Sequence, residues 1–423
     1  MCDGQLRFLY CNARSLNNKL EHLSALAELY DPDIIGISET WLQEHISNAE
    51  IDLRGYEVFR NDRQNGRKGG GVMLYVKSDL QAMEFWPKTQ FPEQTWCVIK
   101  DKCNKEYYVG IIYRSPNDDI HGSQVAGVLR DLLSEVHSKN LVLMGDFNYG
   151  NIDWNTLQPG HSATADTVLF LDCIEINCLT QHVKEPTRGT SILDLLITKD
   201  PDIVHEVQLL DTLAASDHRM ITWTVDINRP TRRHRNEFDY NKGDYEAIRQ
   251  RLNGINWSEY LSGDTEERWQ TFRNLIHQLQ KAHIPLKSSK RTTKKALWLD
   301  NKAVRAVQKK RHLYSKYKDN SHPAVESQNK KAKKELIRAR RKFEKKLAEN
   351  IKSDAKSFYA YVRSMSSSKV KPTSLQQQDG ANTSTPKQTC DTFNNYFSSV
   401  FTSENIDNIE QPPLMFQGME GTN

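Results

Sequence analysis

Polar side chains follow the apolar, strand-like segments of the first half of the chain, at the points where those segments end. In LVLMGDFN, residues 141–144 are continuously apolar, and Asp146 and Asn148 follow two residues apart. A backbone that leaves a sheet core places such side chains on a rigid rim, where they can share a cleft. The same pattern at other segment ends involves Asn12, Glu39, Tyr113, Ser216, Asp217 and His218. One acid at a strand end is usually a turn residue, but five such ends predict a common polar site.

Asp194 is the most informative carboxylate, because it lies inside the apolar segment SILDLLIT. The alternation of this segment predicts a mid-strand Asp194 that shares its face with Ile192 and Leu196. A buried carboxylate is costly unless it is paired, and a protonated histidine is a suitable partner. We therefore predict an ion pair between Asp194 and His218. An exposed position on an edge strand is the alternative.

This set of residue types suits the hydrolysis of a phosphodiester. Mg²⁺ prefers hard carboxylate oxygens and keeps several waters, so one or two acids are sufficient to hold it. A metal ion at such a site stabilises a leaving oxygen. An aspartate beside an asparagine can orient and deprotonate a water while the amide holds a phosphate oxygen. A charged histidine can donate a hydrogen bond to the scissile phosphate.

The motifs SETWL, YRSP, GDFN, LDLLIT and SDH occur in an order that resembles the exonuclease–endonuclease–phosphatase superfamily, which includes DNase I and the apurinic endonucleases. Within it, CNARSLNNK, GISETWL, GGGVMLYVK, PTRGTSILDLLIT and SDHRMI are most similar to the endonuclease domain of LINE-type (non-LTR) retrotransposon polyproteins. The resemblance covers residues 5–226. It implies an α+β fold, a four-layer αββα sandwich of the DNase I type.

The resemblance also implies a metal site. Glu39 is expected to bind Mg²⁺, with Mn²⁺ as an alternative, and Asn12 and Asp217 are expected near the metal. The apurinic enzymes carry an acid two residues after the first asparagine, where this chain has Arg14. This difference argues against abasic-site repair and makes Glu39 the main metal carboxylate. Arg14 is expected among the substrate-binding residues instead.

The remaining implied roles concern water and phosphate. Asp146 is expected to position or deprotonate the attacking water, and Asn148 to hold the phosphate. Asp194 is expected to orient His218. Contacts to phosphate or substrate are expected from Tyr113, Thr187 and Ser216.

The second part of the chain differs in composition. The net charge is +4, yet residues 287–363 hold about 25 Lys and Arg against about 7 Asp and Glu, which leaves about −14 for the rest. We predict an endonuclease/exonuclease/phosphatase domain over residues 5–226, a helical basic connector over 227–365 and a mostly disordered tail over 366–423. The tail contains FNNYFSSVF, which suggests one short helix. The part of the chain after residue 226, this motif included, more weakly resembles the connector that precedes the reverse transcriptase of such polyproteins.

The basic segment favours contact with a polyanion. DNA is the expected partner, with RNA as a second one bound through residues 287–363, and a solvated charged helix is the alternative. An apolar stripe with helical spacing predicts one long helix that packs on protein rather than on a membrane. The members of this stripe are Leu336, Phe343, Leu347, Ile351, Phe358 and Val362.

These patterns together predict a Mg²⁺-dependent DNA endonuclease that nicks target DNA and leaves a 3′-hydroxyl primer for retrotransposition. No F/Y-x-D-D polymerase signature occurs, so we expect no reverse transcriptase of its own. The alternatives are a phosphodiesterase acting on RNA or another phosphoester, and a catalytically silent, retroelement-derived nucleic-acid-binding protein. No apolar run approaches the about 20 residues that span a bilayer, and no signal peptide is recognised. A nuclear or cytoplasmic location is therefore expected, with no secretion and no membrane partner.

Overall fold

A computed structural model of the chain describes residues 5–63, 69–116, 124–161, 163–229, 238–285, 296–366 and 386–400. Its strands are β1 (Leu6–Asn12), β2 (Ile34–Ser38), β3 (Tyr56–Asn61), β4 (Val72–Lys77), β5 (Met83–Phe85), β6 (Gln94–Lys100), β7 (Glu106–Tyr113), β8 (Leu141–Asp146), β9 (Ile152–Asp153), β10 (Gln158–Pro159), β11 (Thr180–Gln181), β12 (Asp194–Thr198), β13 (Val204–Thr212) and β14 (Arg219–Val225). Its helices are α1 (Leu20–Tyr30), α2 (Gln124–Val136), α3 (Ala165–Ile176), α4 (Tyr245–Asn253), α5 (Trp257–Tyr260), α6 (Thr265–His283), α7 (Asn301–Tyr317), α8 (Pro323–Glu349), α9 (Ala355–Ser366) and α10 (Pro386–Val400).

The strands of the described residues form two six-stranded sheets and one short hairpin. Sheet A has the order β13-β14-β1-β2-β4-β3, and sheet B has the order β11-β12-β8-β7-β6-β5. Strands β1 and β2 are parallel in sheet A, as are β7 and β8 in sheet B. Parallel neighbours end at the same edge of a sheet. The residues that follow β1, β2, β7 and β8 can therefore meet.

The alternation of side chains in β1 shows how sheet A is buried on both faces. Phe8 and Tyr10 lie in the core between the two sheets, whereas Leu9 and Cys11 lie in a second cluster on the opposite face. Successive side chains of a strand point to opposite faces, so a continuous apolar strand needs cover on both. At Gly36, an added Cβ would lie 2.3 Å from the sulfur of Met144, a side chain of the other sheet. The sheets thus pack closely here.

Helices cover the outer face of each sheet. Helices α2 and α3 pack on sheet B, and α1, α7 and α8 pack on sheet A. The predicted four-layer αββα sandwich, followed by a mostly helical basic extension, is confirmed. Val307 of α7 and Leu336 of α8 belong to the same apolar cluster as Leu9 of β1. The cluster therefore crosses the boundary predicted near residue 226, and the domain limits stay a prediction.

The predicted single helix of the basic segment is wrong. Helix α8 ends at Glu349, and α9 begins only at Ala355. The side chain of Asp354 accepts a hydrogen bond from the backbone N–H of Ser357 at 3.1 Å, and a capping aspartate of this kind starts a new helix. Helix α9 turns back on α8, where the rings of Phe343 and Tyr361 lie 5.4 Å apart.

The chain forms two compact units, residues 1–367 and 368–423. In the second unit, α10 confirms the short helix expected around FNNYFSSVF. The disorder predicted for the rest of the tail falls outside the described residues. None of the helices within the described ranges combines the length and the apolar character that crossing a bilayer requires.

Candidate active site

The ends of five strands bring the predicted site residues together. Asn12 ends β1 and pairs with Ser38, the last residue of β2, which places Glu39 beside it. In sheet B, Asp146 ends β8 between Tyr113 of β7 and Asp194 of β12. The two sheets face each other, so these side chains share one edge of the sandwich.

The side-chain amide of Asn12 bridges the carboxylates of Glu39 and Asp146. The Nδ2 group of Asn12 donates to Oε1 of Glu39 at 2.8 Å and to Oδ2 of Asp146 at 2.9 Å. Its Oδ1 accepts from the backbone N–H of Arg14 at 3.1 Å, which fixes the orientation of the amide. The indole N–H of Trp41 donates to Oε2 of Glu39 at 3.1 Å. Asn12 therefore holds two acids from different sheets side by side.

The carboxylates of Glu39 and Asp146 lie next to the ring of His218, and the two acids of this group can hold a metal ion. Each offers one ligand atom, and these atoms lie within 4.8 Å of one another. Burial, with the nearby charges of Asp194 and Glu39 added, raises the pKa of Asp146 well above its usual range. A raised carboxyl pKa marks negative charge that the protein does not fully compensate. A hard divalent cation would supply this compensation, so the residues fit such an ion.

The predicted pair of Asp194 and His218 is present. Nδ1 of His218 donates to Oδ2 of Asp194 at 2.7 Å, and both side chains are buried. The phenol of Tyr10 donates to Oδ1 of Asp194 at 2.8 Å and lies 2.7 Å from Oγ of Ser38. Both carboxylate oxygens of Asp194 are thus engaged. Since Nδ1 is used, Nε2 is the ring nitrogen of His218 that remains for the cleft.

The predicted mid-strand position of Asp194 is wrong, because Asp194 is the first residue of β12. The hydroxyl of Thr187 accepts from the backbone N–H groups of Leu193 and Asp194 at 3.1 and 3.2 Å. These bonds take the place of ladder bonds at the start of the strand. The apolar segment SILDLLIT therefore predicts a strand that begins before Asp194, whereas the observed strand begins at Asp194.

His218 is charged at neutral pH. Burial alone would lower the pKa of an imidazole, but the charge of Asp194 and the hydrogen bond to it outweigh this effect. The pKa of His218 is raised to about 9. The ring is therefore a cation that is fixed in orientation and can donate from Nε2.

Asn148 and Tyr113 line the same edge. Asn148 has a left-handed backbone conformation with φ 53°. Its backbone N–H donates to Oδ1 of Asp146 at 3.2 Å, and its side-chain amide donates to the carbonyl of Arg114 at 2.7 Å. Burial and the charge of Glu39 raise the pKa of Tyr113, and the Arg63 guanidinium lies 5.8 Å from its ring centre. Tyr113 is therefore a neutral phenol at physiological pH.

The remaining predicted residues are Arg14, Thr187, Ser216 and Asp217, and their contacts lead away from the group of Glu39, Asp146 and His218. The carboxylate of Asp217 pairs with Arg14 and with Arg188, each at 2.8 Å. Ser216 donates its hydroxyl to the carbonyl of Asn12 at 2.7 Å, and Thr187 is fully buried. The roles expected for these residues in metal or substrate binding stay predictions.

Sequence patterns missed Tyr10 and Trp41, which hold Asp194 and Glu39. A signal for Tyr10 does exist. It is the only hydroxyl-bearing residue of the apolar run FLYC, and a buried phenol usually finds a hydrogen-bond partner. The partner itself comes from strand β12, far away in sequence, so the pattern alone could not identify it.

Comparisons with known proteins identify the family of the chain. The model of the Endonuclease/Exonuclease/phosphatase family matches residues 5–218. The chain belongs to this family. No curated protein sequence matches the chain.

Solved structures with a similar fold include the endonuclease domain of TRAS1, a telomere-specific non-LTR retrotransposon, at 16% identity and a TM-score of 0.43, covering 53% of this chain and 99% of that one. The AP endonuclease LMAP from Leishmania major shows 14% identity and a TM-score of 0.44, covering 52% and 88%. The 3′ phosphatase NExo from Neisseria, bound to product DNA hairpin, shows 16% identity and a TM-score of 0.41, covering 52% and 99%.

Proposed function

We propose that the protein is a divalent-metal-dependent DNA endonuclease that nicks one strand and leaves a 3′-hydroxyl. The observation that carries this proposal is the Asn12 amide, which bridges Glu39 and Asp146 next to the charged ring of His218. The resemblance of the sequence motifs to LINE-type endonuclease domains supports a nick that serves as a primer in retrotransposition.

The side chains of the site account for the proton and charge movements of this reaction. Asp146 orients the attacking water and accepts a proton from it. The water oxygen bonds to phosphorus, the bond from phosphorus to the 3′ oxygen breaks, and that oxygen takes up a proton from solvent. His218 donates to a phosphate oxygen, where negative charge grows. Asn148 and Tyr113 orient the phosphate.

A divalent metal ion would be held by Glu39 and Asp146, with Asn12 keeping the two carboxylates adjacent. When bound, such an ion neutralises phosphate charge and stabilises the leaving oxygen. Oxygen ligands favour Mg²⁺, and Mn²⁺ accepts the same ligand type. The charge on His218 makes it a hydrogen-bond donor to substrate rather than a ligand.

The test is a nicking assay on supercoiled plasmid with Mg²⁺, Mn²⁺ or EDTA. We expect open-circular product with either metal, loss of product with EDTA, and nicks that a polymerase extends without prior phosphatase treatment. Cleavage of a matched RNA but not of DNA would favour an RNA phosphodiesterase. Binding without cleavage under all conditions would favour a silent nucleic-acid-binding protein.

Helix α8 is proposed as the additional nucleic-acid contact. Its side facing solvent carries a dense set of exposed basic residues, which would contact phosphates without reading bases. They are Lys330, Lys331, Lys333, Lys334, Arg341, Lys342, Lys345 and Lys346. Either DNA or RNA fits this surface, and competition between the two in the binding assay distinguishes them.

A further inference from the structure

The connection between β13 and β14, residues 213–218, carries Ser216, Asp217 and His218, and two helices from far along the chain hold its base. Lys310 of α7 is 3% exposed, and its Nζ lies 3.1 Å from Oδ2 of Asp211 and 2.8 Å from the carbonyl of Thr212. Both partners lie at the end of β13. A buried lysine is stable only when its charge is paired and its hydrogen bonds are made. Lys310 therefore fixes the point at which the chain leaves the strand.

Helix α8 makes a second contact, to the connection itself. The side-chain amide of Asn329 donates to the carbonyl of Ala214 at 3.1 Å, and the hydroxyl of Thr212 donates to the same carbonyl at 3.2 Å. Ala214 has a left-handed backbone with φ 51°. This conformation is unfavourable for a residue with a Cβ atom, so surrounding contacts must hold it. Asn329 supplies one of them.

Short hydrogen-bonded steps lead from Ala214 to the catalytic groups. The backbone N–H of Ser216 donates to the carbonyl of Leu213 at 3.0 Å, which closes the turn around Ala214. The Ser216 hydroxyl donates to the carbonyl of Asn12 at 2.7 Å and accepts from the N–H of His218 at 3.4 Å. A change in the path at Ala214 would thus reach both the residue that bridges the carboxylates and the charged ring.

We propose that α7 and α8 position the active site, with Lys310 and Asn329 as positioning residues that act through the β13–β14 connection on His218 and Asn12. This inference rests on the proposed nuclease function. The part of the chain that matches the family model ends at residue 218, whereas Asn329 lies 115 residues beyond Ala214. The extension would therefore complete the catalytic end of the sandwich in addition to binding nucleic acid.

Gln328 provides a matched control on the neighbouring position of the same helix. Its side-chain amide donates to the carbonyl of Ala306 in α7 at 3.0 Å, so it links α8 to α7 and not to the connection. Asn329→Ala and Gln328→Ala each remove one amide that donates to a backbone carbonyl. The two variants should lose similar thermal stability, within about 2 °C of each other. Only Asn329→Ala should alter the active site.

The experiment uses the full chain and measures nicking kinetics together with amide hydrogen exchange. For Asn329→Ala we expect kcat to fall about tenfold or more, because small misplacements of catalytic groups are costly, with KM changed less than about twofold. Exchange should accelerate in residues 213–218. Gln328→Ala should keep wild-type kcat and wild-type exchange there.

Two outcomes overturn the inference. One is wild-type kcat and unchanged exchange in Asn329→Ala. The other is an equal loss of kcat in both variants, which would indicate general destabilisation of the helix pair. The exchange measurement does not depend on catalysis. A wild-type protein that does not nick would therefore refute the proposed nuclease function, while faster exchange confined to Asn329→Ala would still establish the contact.

Discussion

Charge is used differently at the catalytic end of the sandwich and on helix α8. Asp194 and His218 are almost fully buried, with 0% and 1% of their side chains exposed, whereas Lys330 and Glu326 on α8 are 75% and 57% exposed. A buried pair fixes geometry, because separating its members leaves a costly charge. An exposed pair contributes little stability and is screened by salt. The comparison is consistent with the chemistry proposed for the first region and the salt-sensitive attraction proposed for the second.

Arg14 and Asp217 lie between these extremes, with 45% and 35% of their side chains exposed. Together with Arg188 they form a partly exposed ion-pair cluster, in which Asp217 is next to His218 in the sequence. Burial opposes ionisation of Asp217, but the hydrogen bond from Arg14 and the charges of His218 and Arg188 outweigh it and lower its pKa. Asp217 is therefore an anion that two arginines already compensate, which makes it a weaker candidate for metal binding than Asp146.

The largest effect is expected from removing the reacting groups of the buried region. Asp146→Ala and His218→Ala should each lower the nicking rate by about 10²–10⁴-fold, since one loses the water-activating carboxylate and the other the charged donor. Rates on plasmid measure this effect, and circular dichroism checks the fold. Wild-type-like nicking by either folded variant would refute its assignment.

A smaller effect is expected from Glu39→Gln. This change keeps the size of the side chain and leaves one oxygen that can accept from Asn12, but it removes one negative charge and the second acceptor oxygen, which Trp41 uses. We expect the Mg²⁺ concentration for half-maximal nicking to rise by about tenfold or more, because Asp146 is then the remaining carboxylate of the group. Asp217→Asn is the control, and it should shift the titration less. An equal or larger shift for Asp217→Asn would place Asp217 at the metal.

The pH dependence of the nicking rate tests the role of the buried pair of Asp194 and His218. His218 has a folded-state pKa of about 9, above its unfolded value of about 6.5. The stability that its charge adds is fully present below the unfolded pKa and is lost as the pH rises through about 9, where the ring loses its charge. Nicking should fall over the same range. Asp194→Asn removes the main cause of the raised pKa and should move this alkaline limb to lower pH by at least about one unit. An unmoved limb would show that another group titrates there.

Local patterns in the sequence predicted part of this site and missed the rest. Buried strands that end in polar residues are visible as patterns, and a carboxylate in an apolar segment requires a partner, so the pairing of Asp194 with His218 could be predicted. Asn12 as a bridge between two acids could not, because it depends on how closely the two sheets approach.

The sequence predicted the basic composition of the helical extension but not the surface on which the extension packs. The stripe that includes Leu336 indicated packing on protein, but nothing in it specified the outer face of sheet A. The buried Lys310 reads in the sequence as one more basic residue of KKR. Only its contact with Asp211, about 100 residues earlier, separates it from the exposed lysines around it. Such long-range contacts set the roles of similar residues and are absent from any local pattern.

The smallest effect is expected on the exposed basic side of α8, and it concerns binding rather than rate. Deleting the extension would uncover the outer face of sheet A, where Leu9 and Cys11 are fully buried, so substitutions are the cleaner test. The triple change of Lys333, Lys334 and Lys342 to Gln should weaken binding to duplex DNA. Each lost phosphate contact should reduce the log–log salt slope by about 0.9, hence by up to about 3 in total.

A control with the same change of charge is available on sheet B, at the end of its strands that lies away from the candidate site. Lys100, Lys102 and Lys105 lie where β6 passes into β7, away from Tyr113 and the site edge. Changing these three to Gln lowers the net charge equally but should leave the salt slope within about 0.5 of wild type, because long-range attraction is screened beyond about 10 Å at ordinary ionic strength. If both triple variants reduce the slope alike, α8 acts only through net charge and is not a binding surface. If neither does, its lysines face water and the helix serves the fold and the β13–β14 connection alone.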